Sequence, residues 1–249
     1  GGLEQALRNV GDAKSVLDIG ESSINNIMDI LIEMKSKAVQ AANDTLGDTE
    51  RGFIEAQIES LGQQINEIAS QTVFQDTDLL LGGTASAPGG GTGILKMTFQ
   101  VGERKSDTLT IDLKAITTAA LFSDTEDHIA TAAYDTTGVP TASLNLGTAV
   151  AAAATAGDFR NFIESIDTAI TTLSKEINNI GIIQNSLSIR EETLSQQITS
   201  NNSARGSIMD TDFAKAQSDS IRLQILQQTA TAALAQANMG PQAVLNFIQ

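Results

Sequence analysis

From Asp158 onward one apolar stripe dominates the chain. Phe159, Ile163, Ile166, Ile170, Leu173, Ile177, Ile180, Leu187, Leu194 and Ile198 recur at steps of three, four or seven. That period keeps a single face of an α-helix apolar without a break. A helix carrying it runs to roughly 70 Å at 1.5 Å per residue. Helices in globular proteins are far shorter, and an isolated helix is marginal in water. The stripe therefore describes a rod held by neighbouring rods.

The first segment supplies such neighbours. Leu3, Leu7, Val10, Leu17, Ile24, Met28, Leu31 and Ala38 form a near-heptad stripe that Gly11 and Gly20 weaken without ending. Turn-type residues interrupt it from Ala42 to Asp48, and Ile54, Ile58, Leu61, Ile65 and Ile68 then resume it. Two helices joined by so short a connection fold back as an antiparallel hairpin. Composition agrees: aromatics are only 4% and Trp is absent, which suits thin helix interfaces of Ala, Ile and Leu more than a wide core. Prolines occur only at Pro88, Pro140 and Pro241, so long helices are permitted over most of the chain.

A different texture lies between the helical blocks. Leu95, Met97, Phe99 and Val101 alternate with Ile94, Lys96, Thr98 and Gln100, a turn follows from Gly102 to Ser106, and Leu109, Ile111 and Leu113 alternate again. This predicts a β-hairpin whose apolar face lies on the helices. Residues 115–157 are rich in Ala and Thr and read as a loosely structured surface insert. The expected fold class is mainly α: a long antiparallel helical bundle or coiled coil with a β-hairpin and a small surface insert. Its parts are an N-terminal helical hairpin over 1–92, a β-hairpin over 93–116, the variable insert over 117–157, a long bundle helix over 158–208 and a terminal helix over 209–249.

Enzyme chemistry fails on inventory. The single histidine, His128, stands in an acidic stretch of the insert beside Asp124, Glu126 and Asp127, and reads as a solvated loop residue. Gly89-Gly90-Gly91-Thr92-Gly93 lacks the Lys-Ser/Thr of a phosphate loop and precedes a strand, so it reads as a linker. No catalytic, cofactor or metal site is expected. A net charge of −15 argues against nucleic acid and against anionic membrane surfaces. No stretch is apolar for long enough to insert in a bilayer. Without cysteine the redox compartment stays open. The chain starts inside a helical pattern without Met and reads as lacking an N-terminal piece.

The C-terminal end is peculiar in one respect: after Arg222 there is no charged residue or histidine. Leu223, Leu226, Ala230, Ala233, Leu234 and Ala237 give a broad apolar face, Gln and Thr fill much of the rest, and Gly240-Pro241 is expected to interrupt the helix before a second apolar patch. A surface helix normally carries charge on its outer face. This one is expected to be buried on all sides. An internal core helix is disfavoured, because the rods offer no thick core to enclose it. A self-association helix fits better, since identical copies pack closely once charge is removed.

At this point the sequence resembles the bacterial flagellins. The resemblance is carried by Asp210-Thr211-Asp212-Phe213-Ala214, Gln224-Ile225-Leu226-Gln227-Gln228, Leu234-Ala235-Gln236-Ala237-Asn238 and Pro241-Gln242-Ala243-Val244-Leu245. Residues 37–44 (KAVQAAND), 68–80 (IASQTVFQDTDLL) and 99–102 (FQVG) are similar to segments of the same family. It extends over about 1–115 and 158–249, and the insert carries no match.

The resemblance implies a structural subunit that polymerises with itself into the extracellular flagellar filament, for swimming motility. Its terminal helix would line the inner tube. An export chaperone would cover that helix before secretion through the flagellar type III apparatus. Flagellar cap and junction proteins would be further partners. Ile225, Leu226, Leu234, Val244, Leu245 and Phe247 are the implied assembly and chaperone contacts.

Many flagellins are sensed by an animal Toll-like receptor through an Arg and a Leu on the first helix and a Glu on the second. Glu33, Lys37 and Gln57 stand at the matching positions. Reversed charge there implies weak sensing, and Glu33 and Lys37 also have the spacing of a favourable helical ion pair. The alternative within the family is a hook–filament junction protein. A signalling coiled coil would explain the long helices but not the β-hairpin or the uncharged end.

Overall fold

The computed structural model describes residues 1–82, 93–122, 128–134, 140–145 and 155–245, with the backbone alone for 128–134, 140–145 and 238–245. The chain divides into two units, Gly1–Leu194 and Ser195–Gln249. Helices α1 (Gly2–Ala41) and α2 (Asp48–Gln71) form the helical hairpin. Its connection is closed by Arg51, which donates to the carbonyls of Ala41 and Asn43 at 3.2 Å each and so satisfies the end of α1.

The first part of α4 (Ala156–Leu245) completes the first unit. Val10, Leu17, Ile24 and Leu31 of α1, Ile58 and Ile65 of α2, and Phe159, Ile166, Leu173, Ile180 and Leu187 of α4 share one buried core. These are the stripe residues of the sequence, buried because the heptad step keeps each seam facing its partners. Phe162 and Ala169 are buried beside them. Lys35 pairs with Asp167, and Lys14 pairs with Glu191 at 2.6 Å. Between these, Gln184 donates at 2.9 Å to both Asp18 and Glu21. Numbers fall along α4 as they rise along α1, so the two helices run antiparallel. Exposed pairs of this kind add little stability and serve mainly to mark the register.

After α2 the chain makes a tight hairpin, β1 (Val73–Phe74) and β2 (Thr77–Asp78). Its two-residue turn places Gln75 and Asp76 at φ 47° and 62°, the left-handed conformation of a type I′ turn. Leu79 and Leu80 then enter the core. Strands β3 (Ile94–Gln100) and β4 (Thr108–Lys114) pair antiparallel from Ile94↔Lys114 to Gln100↔Thr108. Leu95, Ile111 and Leu113 are buried, whereas Thr98 and Thr110 share a 3.2 Å hydrogen bond on the exposed face. The amide of Asn9 donates to the carbonyl of Gln100 at 2.8 Å and fixes the hairpin to α1.

Three expectations are corrected. Residues 117–122, assigned by composition to the surface insert, are core: Thr117, Thr118, Leu121 and Phe122 are buried, and α3 (Thr118–Leu121) is capped by Thr117. Buried Asn66 accepts from the Thr118 backbone at 2.9 Å and donates to its hydroxyl at 2.9 Å, which provides the polar partners Thr118 needs in an apolar interior.

Second, the insert contains the antiparallel pair β5 (His128–Tyr134) and β6 (Pro140–Asn145). His128 opens β5 opposite Asn145 and is not a loop residue. Strand pairing satisfies backbone groups that the acidic neighbours of His128 gave no hint of.

Third, Gly240 and Pro241 do not end the helix, since α4 continues to Leu245. Proline forfeits one hydrogen bond there, yet its fixed φ is itself helical. By backbone α4 runs from Ala156 to Leu245, and the two units divide after Leu194. The glycine run 89–92 lies outside the described residues.

The described side chains of the terminal helix, through Ala237, are exposed within this chain. Among the described residues none covers it.

Candidate self-association surface

In the second unit every residue from Thr199 to Ala237 is exposed, so no described residue of the chain covers this length of helix. The exposed large apolar side chains are Ile208, Met209, Phe213, Ile221, Leu223, Ile225, Leu226 and Leu234. Phe213 is 72% exposed and Leu234 64%, far outside the behaviour of core residues. A contiguous uncovered apolar surface on a helix marks an interaction site.

Helical spacing resolves this surface into two sides. Leu223, Leu226, Ala230, Ala233, Leu234 and Ala237 follow steps of one, three or four and share one face. Ile221, Ile225 and Ala232 fall on the opposite side. Gln224, Thr229 and Thr231 occupy the seams, Gln228 and Gln236 fall on the Ile225 side, and the hydroxyls of Thr229 and Thr231 are satisfied internally. The hydroxyl of Thr229 donates to the carbonyl of Ile225 at 2.9 Å, and that of Thr231 to Gln227 at 2.6 Å. Turning each hydroxyl back onto its own helix leaves the methyl outward and lowers the cost of drying the surface. Charge ends at Arg222, just where this two-sided surface begins.

Of the six expected contacts, Ile225, Leu226 and Leu234 are exposed on this helix. Ile225 lies opposite Leu234 and about 100° round the helix from Leu226. Val244 and Leu245 belong to α4 by backbone, and Phe247 lies outside the described residues. Sequence reading missed Ile221, Ile208, Met209 and Phe213, whose charged neighbours hid them; the signal was their step of four, from 209 to 213 and from 221 to 225.

Glu33 and Gln57 are exposed and Lys37 is half-buried, on two helices of the same hairpin. The ion pairs among the described residues do not include one between Glu33 and Lys37, so that expected pair is not formed. Among the described residues no acidic or histidine cluster is arranged to hold a metal, and no helix is long and apolar enough to cross a membrane.

A helical unit with a shared apolar core and a long exposed helix, uncharged after Arg222, is the architecture of a structural protein. Residues 1–85 match the bacterial flagellin N-terminal helical region, and residues 163–248 the bacterial flagellin C-terminal helical region. The chain is 28% identical over 248 residues to the flagellar filament core protein flaB2 of Brachyspira hyodysenteriae, covering all of this chain and 80% of that protein. It is likewise 28% identical to a flagellin of Halalkalibacterium halodurans, covering 79% of it. The crystal structure of Bacillus cereus flagellin superposes with a TM-score of 0.52 at 26% identity, over 75% of this chain and 88% of that one. A hook-associated protein of Vibrio parahaemolyticus shares the fold, with a TM-score of 0.61 at 15% identity over 83% of this chain and 91% of that one. The chain belongs to the bacterial flagellin family, and its role is structural and non-enzymatic.

Proposed function

We propose that this protein is the subunit that polymerises with itself into the extracellular flagellar filament, with the terminal part of α4 driving assembly. The observation that carries the reading is the uncharged helix after Arg222, exposed through Ala237, with apolar side chains on both of its sides and no other described residue covering it. A helix apolar on two sides suits a wall in which each copy is flanked by others. The same exposure is a liability before assembly. An export chaperone that covers Ile225, Leu226 and Leu234 during type III secretion answers it, and cap and junction proteins would meet the finished filament. Matches to filament proteins along the whole chain favour a filament subunit over a hook–filament junction protein.

Seeded growth tests this. Short filament seeds are incubated with the full chain or with a version ending at Arg222, and length is read by electron microscopy. Elongation by the full chain alone is the expected result. Elongation by both would remove the tail from the mechanism. Short rings in place of filaments would transfer the protein to the junction role.

A further inference from the structure

A cavity of about 230 Å³ opens where the base of the β3–β4 hairpin meets α3 and α4. Its walls are apolar, from Ile94, Ile116, Leu121 and Leu173, but Glu176 and Lys114 also line it. The Glu176 side chain is only 5% exposed, and its ion partner Lys114 stands 3.8 Å away with a side chain 55% exposed. That separation exceeds hydrogen-bond distance, so a buried carboxylate lines the cavity with its counter-ion out of hydrogen-bond reach. The site is built to accept a better-placed cation on an apolar stem.

The other end of the same hairpin presents one. The turn from Gly102 to Asp107 is rigid: the amide of Gln100 donates to the carbonyls of Gly102 at 2.8 Å and Arg104 at 2.6 Å. Asp107 accepts from the Arg104 backbone at 3.1 Å. A Cβ at Gly102 would approach Asp107 to 2.6 Å, so glycine is required for the turn to close. Arg104 is exposed on it, and among the described residues no carboxylate pairs with its guanidinium. Seven paired residues separate tip from base, about 20 Å at 3.3 Å per residue, so Arg104 cannot reach Glu176 of its own chain.

We infer that Arg104 of one copy seats in the cavity of a second copy, its guanidinium on Glu176 and its stem against Ile94 and Leu173. Arginine suits the site because its planar fork matches a carboxylate and its weakly hydrated body packs on apolar walls. The rigid turn lowers the ordering cost of docking. Tip and socket are different surfaces, so the contact is heterologous and repeats from copy to copy, as an open polymer requires. The inference rests on the self-association proposed above and names one contact within it.

The chain has no cysteine, which makes disulfide capture clean. Lys105→Cys beside the tip and Thr172→Cys at the cavity mouth are placed on separate full chains, mixed and oxidised without seeds, and the linked peptides are identified by mass spectrometry. The expected linking rate is roughly tenfold that of Lys105→Cys with Asp112→Cys, because a seated pair holds two thiols at high effective concentration. Adding Arg104→Gln to the first chain or Glu176→Gln to the second should return it to the control rate. Arg104 is exposed, so its variant keeps the test valid even if the Glu176 variant misfolds. Linking at the control rate, or linking indifferent to Arg104→Gln, overturns the socket. A chain that elongates seeds without this link loses the socket alone, and one that links without elongating seeds keeps it and loses the filament reading.

Discussion

Phe122 lies in a segment that composition assigned to the surface, yet it is 2% exposed, with its ring centroid 5.7 Å from that of Phe162 and the ring planes tilted by 33°. Phe122→Ala removes most of a buried ring and leaves a void against α4. Substitutions of this kind cost about 3–5 kcal/mol, of which the ring pair supplies roughly 0.5–1.5 kcal/mol beyond buried area. Phe162→Ala should cost a similar amount. The double variant should cost less than the sum of the two by the ring-pair amount, because the pair can be lost only once. Urea unfolding of the unassembled chain, followed by far-ultraviolet circular dichroism, gives these differences, and the slope should stay constant if only the folded state is affected. If residues 117–122 detached locally, the Phe122 loss would stop at the free energy of that detachment while the Phe162 loss would not. A Phe122→Ala loss below about 0.5 kcal/mol, the range of surface substitutions, would refute the core placement and return the segment to the surface.

Asn66→Ala strips Thr118 of its buried amide partner and should cost about 1–3 kcal/mol, read by the same unfolding curves; a neutral result would mean that water replaces the amide. Burial first, and the neighbouring Glu59 charge second, hold the Glu55 carboxyl above the ordinary glutamate value. The ionised form is then the penalised one, so the penalty is present above the folded pKa and relieved as pH falls below the unfolded one. Glu55→Gln should therefore raise stability near neutral pH and change little in acid, and an equal effect at both would contradict the assignment. Glu33, Lys37 and Gln57 should make the protein a weak activator of the Toll-like receptor that senses many flagellins; a nanomolar response in a reporter assay would sink that expectation.

What could be read from residues alone was whatever depends on period. Phe159, Ile166, Leu173, Ile180 and Leu187, with Val10, Leu17, Ile24 and Leu31, are buried as their stripes required, and Ile163, Ile170, Ile177 and Met28 are half-buried against them, because a heptad step fixes one helix face whatever the partner is. The β3–β4 hairpin was legible for the same reason, since alternation assigns faces and the turn from Gly102 onward closes it. The uncharged run after Arg222 was visible as a need for cover.

Tertiary structure decided what depends on proximity without period. Thr118 and Phe122 carry no pattern, and only Asn66 and Phe162, distant in sequence, reveal that the segment is core. Lys114 and Glu176 stand on different elements, as do the elements that line the cavity between them. Spacing along a chain encodes which face an element buries; which residues meet across elements is set by packing, and that is absent from any one stretch of sequence.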